Sequence, residues 1–426
     1  MNYEETIEYL FNCAPLFQQV GSSAYKEGLE TTILLDKHLG HPHRKFRTIH
    51  IAGTNGKGST SHTLASILQA SGYKVGLYTS PHLIDFRERI RVNGKPVSKD
   101  FVVDFVEKER TFFEPLHPSF FELTTAMAFH YFAMQQVDVA VVEVGLGGRL
   151  DCTNIITPDV CIITNISHDH TQFLGNTLAQ IASEKAGIIK QGTPVVIGET
   201  TPETRPVFLQ KATQESAPII FAEESDLLQS ATPTADGYTY ITTDYGVLHG
   251  ELGGDYQVKN TRTLLSALNL LKEKGYTIEH EAIKKGFANV TSTTGLMGRW
   301  QTIRNTPRTI CDAGHNTAGI SYITEQLSRQ KYKTMRIIFG MVSDKDIDSV
   351  LTLLPKDACY YFTQASVKRA LPCEELAQKA ATHNLTGNSY PSVASALQAA
   401  TADATPDDLI FIGGSCFIVA DLLSAK

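Results

Sequence analysis

The stretch that most limits what this chain can fold into is Gly53 to Ser59, reading Gly-Thr-Asn-Gly-Lys-Gly-Ser between a β-rich run and a helical one. Phe46 to Ile51 (FRTIHI) is apolar and partly alternating, as in a strand, and Lys57 to Ala70 places Leu64, Ile67, Leu68 and Ala70 on one helical face. Strand, glycine loop and helix together make a phosphate site. Glycines admit anionic oxygens close to the backbone, the N–H groups at the helix start point at the anion, and a lysine neutralises the outer phosphates of a nucleoside triphosphate. Gly53, Thr54, Asn55, Gly56, Lys57, Gly58 and Ser59 are therefore the predicted nucleotide-binding residues, with the Ser59 hydroxyl near a bound Mg²⁺. The common G-x-x-x-x-G-K-[ST] spacing would need glycine at Ile51 and a hydroxyl residue at Gly58, so this loop is a variant.

At 426 residues the chain is long for one core, and two domains are expected. Net charge of −7 and the absence of basic runs argue against nucleic acid as a partner and for a small substrate. The start, MNYEETIEYLFN, is acidic and amphipathic rather than a basic segment before an apolar one, and no apolar run approaches the roughly 20 residues that span a bilayer. A cytoplasmic protein with no membrane partner is expected. The seven cysteines are scattered without C-x-x-C pairs, so neither a zinc site nor a disulfide framework is expected.

In chain order, helices are predicted at 4–10 and 30–39 ahead of the first strand, and a strand at 74–79 ends in Ser80-Pro81-His82 before a polar loop. Ser119 and Glu122 form a capping-box signature opening a helix to Met134. Asp138 to Val144 (DVAVVEV) and Asp159 to Asn165 (DVCIITN) read as strands buried in a parallel sheet, with Glu143 and Ser167-His168-Asp169-His170 at their carboxyl ends. That edge is where open α/β sheets bind ligands. A helix is predicted over 177–190, a strand over 194–198, small antiparallel strands at the margin of the domain over 229–251, and helices over 257–274 and 281–289. The Thr- and Gly-rich loop 291–298 separates residues 1–297 from 298–426. Beyond it, strand candidates 308–312, 335–340, 358–363 and 408–412 alternate with helices at 317–329, 346–354, 373–383, 391–402 and 415–424. The predicted fold class is α/β: a P-loop, doubly wound N-terminal ATPase domain and a smaller Rossmann-like C-terminal domain.

Ser80, Glu143 and His170 sit at strand ends near the glycine loop, and oxygen donors with one imidazole can hold Mg²⁺ where water completes the shell. Asp169 is the competing ligand. Singly, each has an ordinary structural explanation, and Lys185 in Ser183-Glu184-Lys185-Ala186-Gly187 reads on spacing alone as a solvated helix residue. Arg299 can reach phosphates, and Asp312 in Asp312-Ala313-Gly314-His315-Asn316 can accept from a ribose hydroxyl or an ammonium group, although a surface arginine and a polar turn explain them equally well. Gly413-Gly414-Ser415 reads as a turn before the last helix.

Taken together these segments resemble the Mur-type ATP-dependent ligases, in the branch of folylpolyglutamate synthases and bifunctional dihydrofolate synthases. The resemblance runs through Gly-Thr-Asn-Gly-Lys-Gly-Ser, Ser80-Pro81-His82-Leu83, Glu88-Arg89-Ile90, Gly147-Gly148-Arg149-Leu150-Asp151 with Thr153-Asn154, Asp169-His170-Thr171 with Leu174-Gly175, and Glu184-Lys185-Ala186-Gly187. It implies ATP and Mg²⁺ as cofactors, metal ligation by Ser80, Glu143 and His170, and carbamylation of Lys185. It assigns nucleotide contacts to Asn260, Arg299 and Asp312, catalytic roles to Lys57, His170, Lys185, Arg299 and His315, and folate contacts to Phe120, Phe121, Glu122, Leu150, Asp151 and Cys152. The loop from Ser80 to Ile90 is its implied lid. The implied reaction adds L-glutamate to dihydropteroate or reduced folates through an acyl phosphate, in a monomer. Glutamate extension alone, a cell-wall Mur ligase and a non-catalytic ATP-dependent switch are the alternatives. Departures from the family pattern are Met297 before Gly298-Arg299, the order Asp312-Ala313-Gly314-His315, Cys152 in place of alanine, and Tyr256 before Gln257.

Overall fold

The computed structural model describes residues 1–13 and 28–425. They form two units: Met1–Glu251 with Tyr256–Leu296, and Leu252–Asp255 with Met297 onward. The short segment Leu252–Asp255, read from sequence as part of the first domain, belongs with the second.

The first unit is built on eight strands: β1 (Arg47–Ala52), β2 (Val75–Tyr78), β3 (Ile90–Val92), β4 (Lys95–Pro96), β5 (Val139–Glu143), β6 (Val160–Ile163), β7 (Val195–Ile197) and β8 (Ile219–Phe221). Their order is β4-β3-β2-β5-β1-β6-β7-β8, parallel throughout except for the antiparallel β3 and β4. Continuous apolar runs produce this because helices cover both faces, so alternate residues enter different cores. Ile49, Ile51, Val139 and Val141 belong to one buried cluster, whereas Ala140 and Val142 point into another. Each such buried Val or Ile stabilises the fold by roughly 1.5–3 kcal/mol. β1 lies between β5 and β6 with Ile51 level with Glu143, so the chain crosses over β1 between β5 and β6 and opens a crevice at the carboxyl edge.

The polar, Thr- and Tyr-rich segment forms a separate antiparallel sheet of β9 (Leu228–Thr234), β10 (Gly237–Thr242) and β11 (Gly246–Gly250). The small antiparallel strands are as expected, and Tyr238, Tyr240 and Leu248 anchor them in the same cluster as Ile49 and Leu64. The second unit carries β12 (Gln301–Asn305), β13 (Arg308–Cys311), β14 (Met335–Phe339), β15 (Cys359–Thr363), β16 (Gly387–Tyr390) and β17 (Leu409–Gly413). Their order is β12-β13-β17-β14-β15-β16, parallel except for β12.

Several expectations are corrected. The polar loop after Ser80-Pro81-His82 contains β3, β4 and a helix, Lys99–Phe113, capped by Ser98 and burying Val102, Phe105, Val106 and Phe113. The helix Lys57–Ala70 is buried from Ser59 to Leu68 on every face, because its small Ser, Thr and Ala side chains let neighbouring elements close on it; Gly286 packs directly on Ile67. The helix predicted over 177–190 has its Thr177 and Gln180 capping box but ends at Ala186. The boundary loop 291–298 contains a helical turn, Val290–Thr294. The helix Arg205–Gln214 and strands β8, β12 and β16 are additions. Cys152, Cys161, Cys311, Cys359, Cys373 and Cys416 are free thiols; the Cys13 side chain lies outside the described residues.

Candidate functional site

The glycine loop leaves β1 at its carboxyl end and is clamped to the segment after β6. Thr54 N–H donates to the Asn165 carbonyl at 2.9 Å, Asn55 N–H to Asn165 Oδ1 at 3.0 Å, and the Asn55 carbonyl accepts from Thr164 Oγ1 at 2.6 Å. Thr54 Oγ1 accepts from Ser167 N–H at 3.0 Å. Gly53 and Gly56 have φ of 142° and 86°, and a Cβ would lie 1.9 Å from Thr164 Oγ1 and 2.3 Å from Asn260 Oδ1 respectively, so only glycine fits either place. Lys57 Nζ folds over the loop and donates to the carbonyls of Gly53 at 3.0 Å and Thr54 at 3.2 Å. Behind it, buried Ser59 accepts from Gln257 Nε2 at 3.1 Å, and Gln257 Oε1 accepts from Asn260 Nδ2 at 2.9 Å. Thr164, Asn165, Ser167 and Gln257 thus shape the loop although sequence reasoning left them out of the site. For Thr164, Asn165 and Ser167 the signal was present in the polar residues that directly follow the β6 run; Gln257 comes from the distant helix Tyr256–Glu273.

Glu143 closes β5 with 3% exposure, and its Oε2 accepts from Ser80 N–H at 3.3 Å. His170 follows β6, on the other side of β1, with a left-handed backbone (φ 51°); its N–H donates to Asp169 Oδ1 at 2.9 Å. Strand order therefore brings Ser80, Glu143, the glycine loop and His170 to one edge. This donor set, a buried carboxylate, a hydroxyl and an imidazole beside a glycine cradle that a side chain would fill, fits a nucleotide with a hard divalent ion.

Lys185 is the largest departure from spacing-based reading. It is 4% exposed, not solvated. Burial, reinforced by the Lys57 charge and opposed by Asp169 and Asp151, pushes its ammonium down to about 7. Its burial follows from two glycines. A Cβ at Gly148 would stand 2.7 Å from the Glu184 carbonyl oxygen, and one at Gly187 would stand 2.4 Å from Arg149 Cα, so the Gly147–Arg149 loop lies directly on the end of the Lys185 helix. Arg149 N–H donates to the Glu184 carbonyl at 2.8 Å, its guanidinium pairs with the Glu184 carboxylate at 2.9 Å, and Asn154 Nδ2 ties the carbonyls of Arg149 and Gly187, each at 3.0 Å.

The predicted folate residues divide by environment. Phe121, Leu150 and Cys152 are half-buried. Phe120 is buried among Phe11, Phe86 and the Arg89 guanidinium, and buried Glu122 closes the capping box with Ser119. The two oxygens of Asp151 accept from the N–H groups of Gly145, Leu146 and Thr153 and from Thr153 Oγ1, so this carboxylate pins the Gly145–Gly148 loop to the turn Cys152–Ile155. Thr153 Oγ1 also meets His50 Nε2 at 2.8 Å.

In the second unit, Asp312 is buried and holds its own loop, accepting from Trp300 N–H and Gly314 N–H, each at 2.7 Å. The half-buried Arg299 donates to the Gly298 carbonyl at 3.0 Å, and His315 donates from Nδ1 to the Ala313 carbonyl at 3.0 Å. Gly414 (φ 94°) precedes Ser415, which caps the last helix. Asn260 belongs to the first unit, and Arg299, Asp312 and His315 to the second.

A glycine loop between a parallel strand and a buried helix, with acid, imidazole and lysine along the same edge, defines a nucleotide-binding α/β protein of the P-loop type. The Mur ligase middle domain matches residues 51–268 and the Mur ligase glutamate ligase domain matches residues 298–416. The chain belongs to the Mur ligase family. It is 33% identical over 412 residues to the dihydrofolate synthase/folylpolyglutamate synthase of Bacillus subtilis, covering 93% of this chain and 94% of that protein. It is also 33% identical to the folylpolyglutamate synthase of Lacticaseibacillus casei, covering 99% and 97%. E. coli FolC in complex with DHPP and ADP superposes with a TM-score of 0.85 at 32% identity, covering 100% and 97%. A bifunctional folylpolyglutamate synthase/dihydrofolate synthase with Mn, AMPPNP and L-glutamate bound gives 0.83 at 28%, covering 100% and 98%.

Proposed function

We propose that the chain is an ATP-dependent ligase that joins the α-amine of L-glutamate to the carboxylate of dihydropteroate and of reduced folates. The observation that carries this reading is the joining of the glycine loop, Glu143 and buried Lys185 at one sheet edge, in a chain alike over nearly its whole length to folate ligases. In the reaction the γ-phosphoryl group of ATP passes to a carboxylate oxygen of the folate substrate, leaving ADP; the glutamate amine then attacks the acyl carbon, phosphate departs and the amine gives up a proton. Mg²⁺, when bound, neutralises charge on the phosphates. Ser80, Glu143 and His170 would hold it. Lys57 exchanges its loop carbonyls for the outer phosphates, and the N–H groups opening its helix receive their oxygens. Gln257 and Asn260 hold Ser59 and the loop in place. In the second unit, Arg299, Asp312 and His315 are assigned to the nucleotide and to catalysis.

Lys185 is read as a carbamate. A buried amine held down to about 7 is neutral in a large share of molecules near neutral pH, and the neutral amine is the form that adds to CO₂ with loss of a proton to solvent. The carboxylate so formed would organise the metal. Carbon-13 NMR after ¹³C-bicarbonate addition gives a carbamate signal that Lys185→Met removes; no signal from the wild type rejects the modification. Phe121, Leu150 and Cys152 are read as wall residues of the folate pocket, with Phe120, Glu122 and Asp151 fixing its frame. The reading includes a cytoplasmic monomer, checked by light scattering.

Purified protein with ATP, Mg²⁺ and L-glutamate, offered dihydropteroate in one reaction and tetrahydrofolate in another and read by mass, tests the function. Glutamate addition to both is the expected result. Addition only to tetrahydrofolate restricts the activity to chain extension, and addition to neither overturns the reading.

A further inference from the structure

A second group of metal-ligating side chains lies apart from the loops described above. Asp36, His41 and His43 meet where the helix Glu30–His38 turns toward β1. Asp36 is 5% exposed; its Oδ2 accepts from His41 Nδ1 at 2.7 Å and its Oδ1 from His43 Nδ1 at 2.6 Å. One ligand atom from each of the three lies within 4.8 Å of the others. The backbone sets this convergence: Gly40 and His41 are both left-handed, with φ of 75° and 54°, His41 N–H donates to the Asp36 carbonyl at 2.8 Å, and Pro42 opens a short 3-10 turn that carries His43 inward. The His41 side chain is 40% exposed, which leaves the group open to solvent on that side, and the His43 side chain is 12% exposed.

We propose that Asp36, His41 and His43 form a three-ligand site for a divalent transition ion of the Zn²⁺ class. Two imidazole nitrogens and one carboxylate oxygen are donors suited to Zn²⁺ or Co²⁺; Mg²⁺ and Ca²⁺ prefer oxygen shells. An ionised carboxylate only accepts, so each ring now donates from Nδ1; ligation moves that proton to Nε2 and turns the Nδ1 lone pair to the ion. Ligands at about 2.0–2.1 Å from Zn²⁺ in a tetrahedron stand about 3.3 Å from one another, so each Asp36–histidine contact opens by about 0.6–0.7 Å from its present 2.7 or 2.6 Å, mainly by rotation of exposed His41. Solvent fills the remaining position. The ion then ties the end of the helix Glu30–His38 to the segment entering β1. That helix buries Leu35 in the same cluster as Phe120 and Ala126, so the tie stiffens one wall of the proposed folate pocket from outside it. No residue is shared with Ser80, Glu143 or His170.

Full-length protein saturated with Mg²⁺ and titrated with Co²⁺, followed by visible absorption and then by Zn²⁺ displacement, tests the site. One Co²⁺ per chain with a ligand-field band that persists in excess Mg²⁺ and is displaced by Zn²⁺ is expected. His43→Ala and Asp36→Asn should each weaken binding by more than the ~10-fold that loss of even an outer-shell partner costs. His41→Ala, at an exposed position, should do the same while keeping the wild-type circular dichroism and ligase activity. A wild type without a Mg²⁺-resistant band, or a band unchanged in His41→Ala and His43→Ala, overturns the proposal; so does a band lost only in His170→Ala.

Discussion

The carboxyl edges of the two parallel sheets are built differently. In the first unit, loops from different strands lock onto one another through backbone contact: Gly148 and Gly187 bring Arg149 against the Lys185 helix, and Gly53 lies under Thr164. Ser59, Glu143 and Lys185 are consequently buried, at 2%, 3% and 4% exposure. In the second unit backbone also meets backbone, since a Cβ at Gly340 would stand 2.6 Å from the Thr363 carbonyl oxygen and one at Gly414 2.7 Å from that of Gly340. There, however, the buried carboxylate of Asp312 is taken up by the N–H groups of Trp300 and Gly314, Arg299 and His315 remain half-buried, and a Cβ at Gly314 would closely meet only side-chain atoms, the Ile323 tip at 2.6 Å and Asp312 Oδ1 at 3.1 Å. Fixed polar groups in a dry setting act strongly on a transferring charge without reorganising. The first edge has that character. The second presents Arg299 and His315 on half-buried side chains.

Four measurements break or sharpen this contrast. Lys57→Ala should lower kcat for ligation by roughly 10²–10³-fold, the loss typical of one preorganised charge-stabilising group, with the melting temperature nearly unchanged; wild-type turnover would remove the first edge from the chemistry. Gly187→Ala should destabilise the first unit by about 1–3 kcal/mol in urea denaturation, toward the upper end because the added carbon meets backbone.

Lys185 makes the third prediction through pH. Its amine is protonated in the unfolded chain up to about 10.5 but in the folded chain only up to about 7, so between those values the unfolded state binds the extra proton. Stability therefore rises with pH across that window, by up to about 1.4 kcal/mol per pH unit, and this contribution is flat below it. Denaturation of CO₂-free protein at several pH values should give a steeper slope for the wild type than for Lys185→Met; equal slopes would mean the amine is not buried as an amine. Gly314→Ala should have the smallest effect, below about 1.5 kcal/mol, because the Ile323 methyl at 2.6 Å can move aside and the next neighbour, Asp312 Oδ1, stands at 3.1 Å. A loss as large as that of Gly187→Ala would erase the difference between the edges.

Strand and helix placement was largely legible because the parallel-sheet runs are apolar on both faces and the helices carry local start signals, such as Ser119 with Glu122 and Thr177 with Gln180. Lys99–Phe113 escaped notice although Ser98 and the spacing of Val102, Phe105 and Val106 mark it, since its outer face is densely charged. The helix after the glycine loop read as one-sided because hydrophobicity, not size, was followed; Ser, Thr and Ala there are buried for being small. Local sequence placed Lys185 on a helix but could not bury it, because the Gly147–Arg149 loop that covers it arrives from another strand. The placing of Ser80, Glu143 and His170 along one edge likewise depends on the order β2-β5-β1-β6, which no short stretch encodes.

Lys57 holds the carbonyls of Gly53 and Thr54. On the proposed function, nucleotide capture at this loop would be an exchange of partners rather than a simple gain: the ammonium would leave two neutral oxygens for charged ones, and its net contribution would be the difference between the two sets. A ligand whose phosphates stop short of the ammonium leaves it parked and forgoes that difference. On that reading the loop would measure the length of the phosphate chain, favouring a triphosphate over a monophosphate carrying the same base.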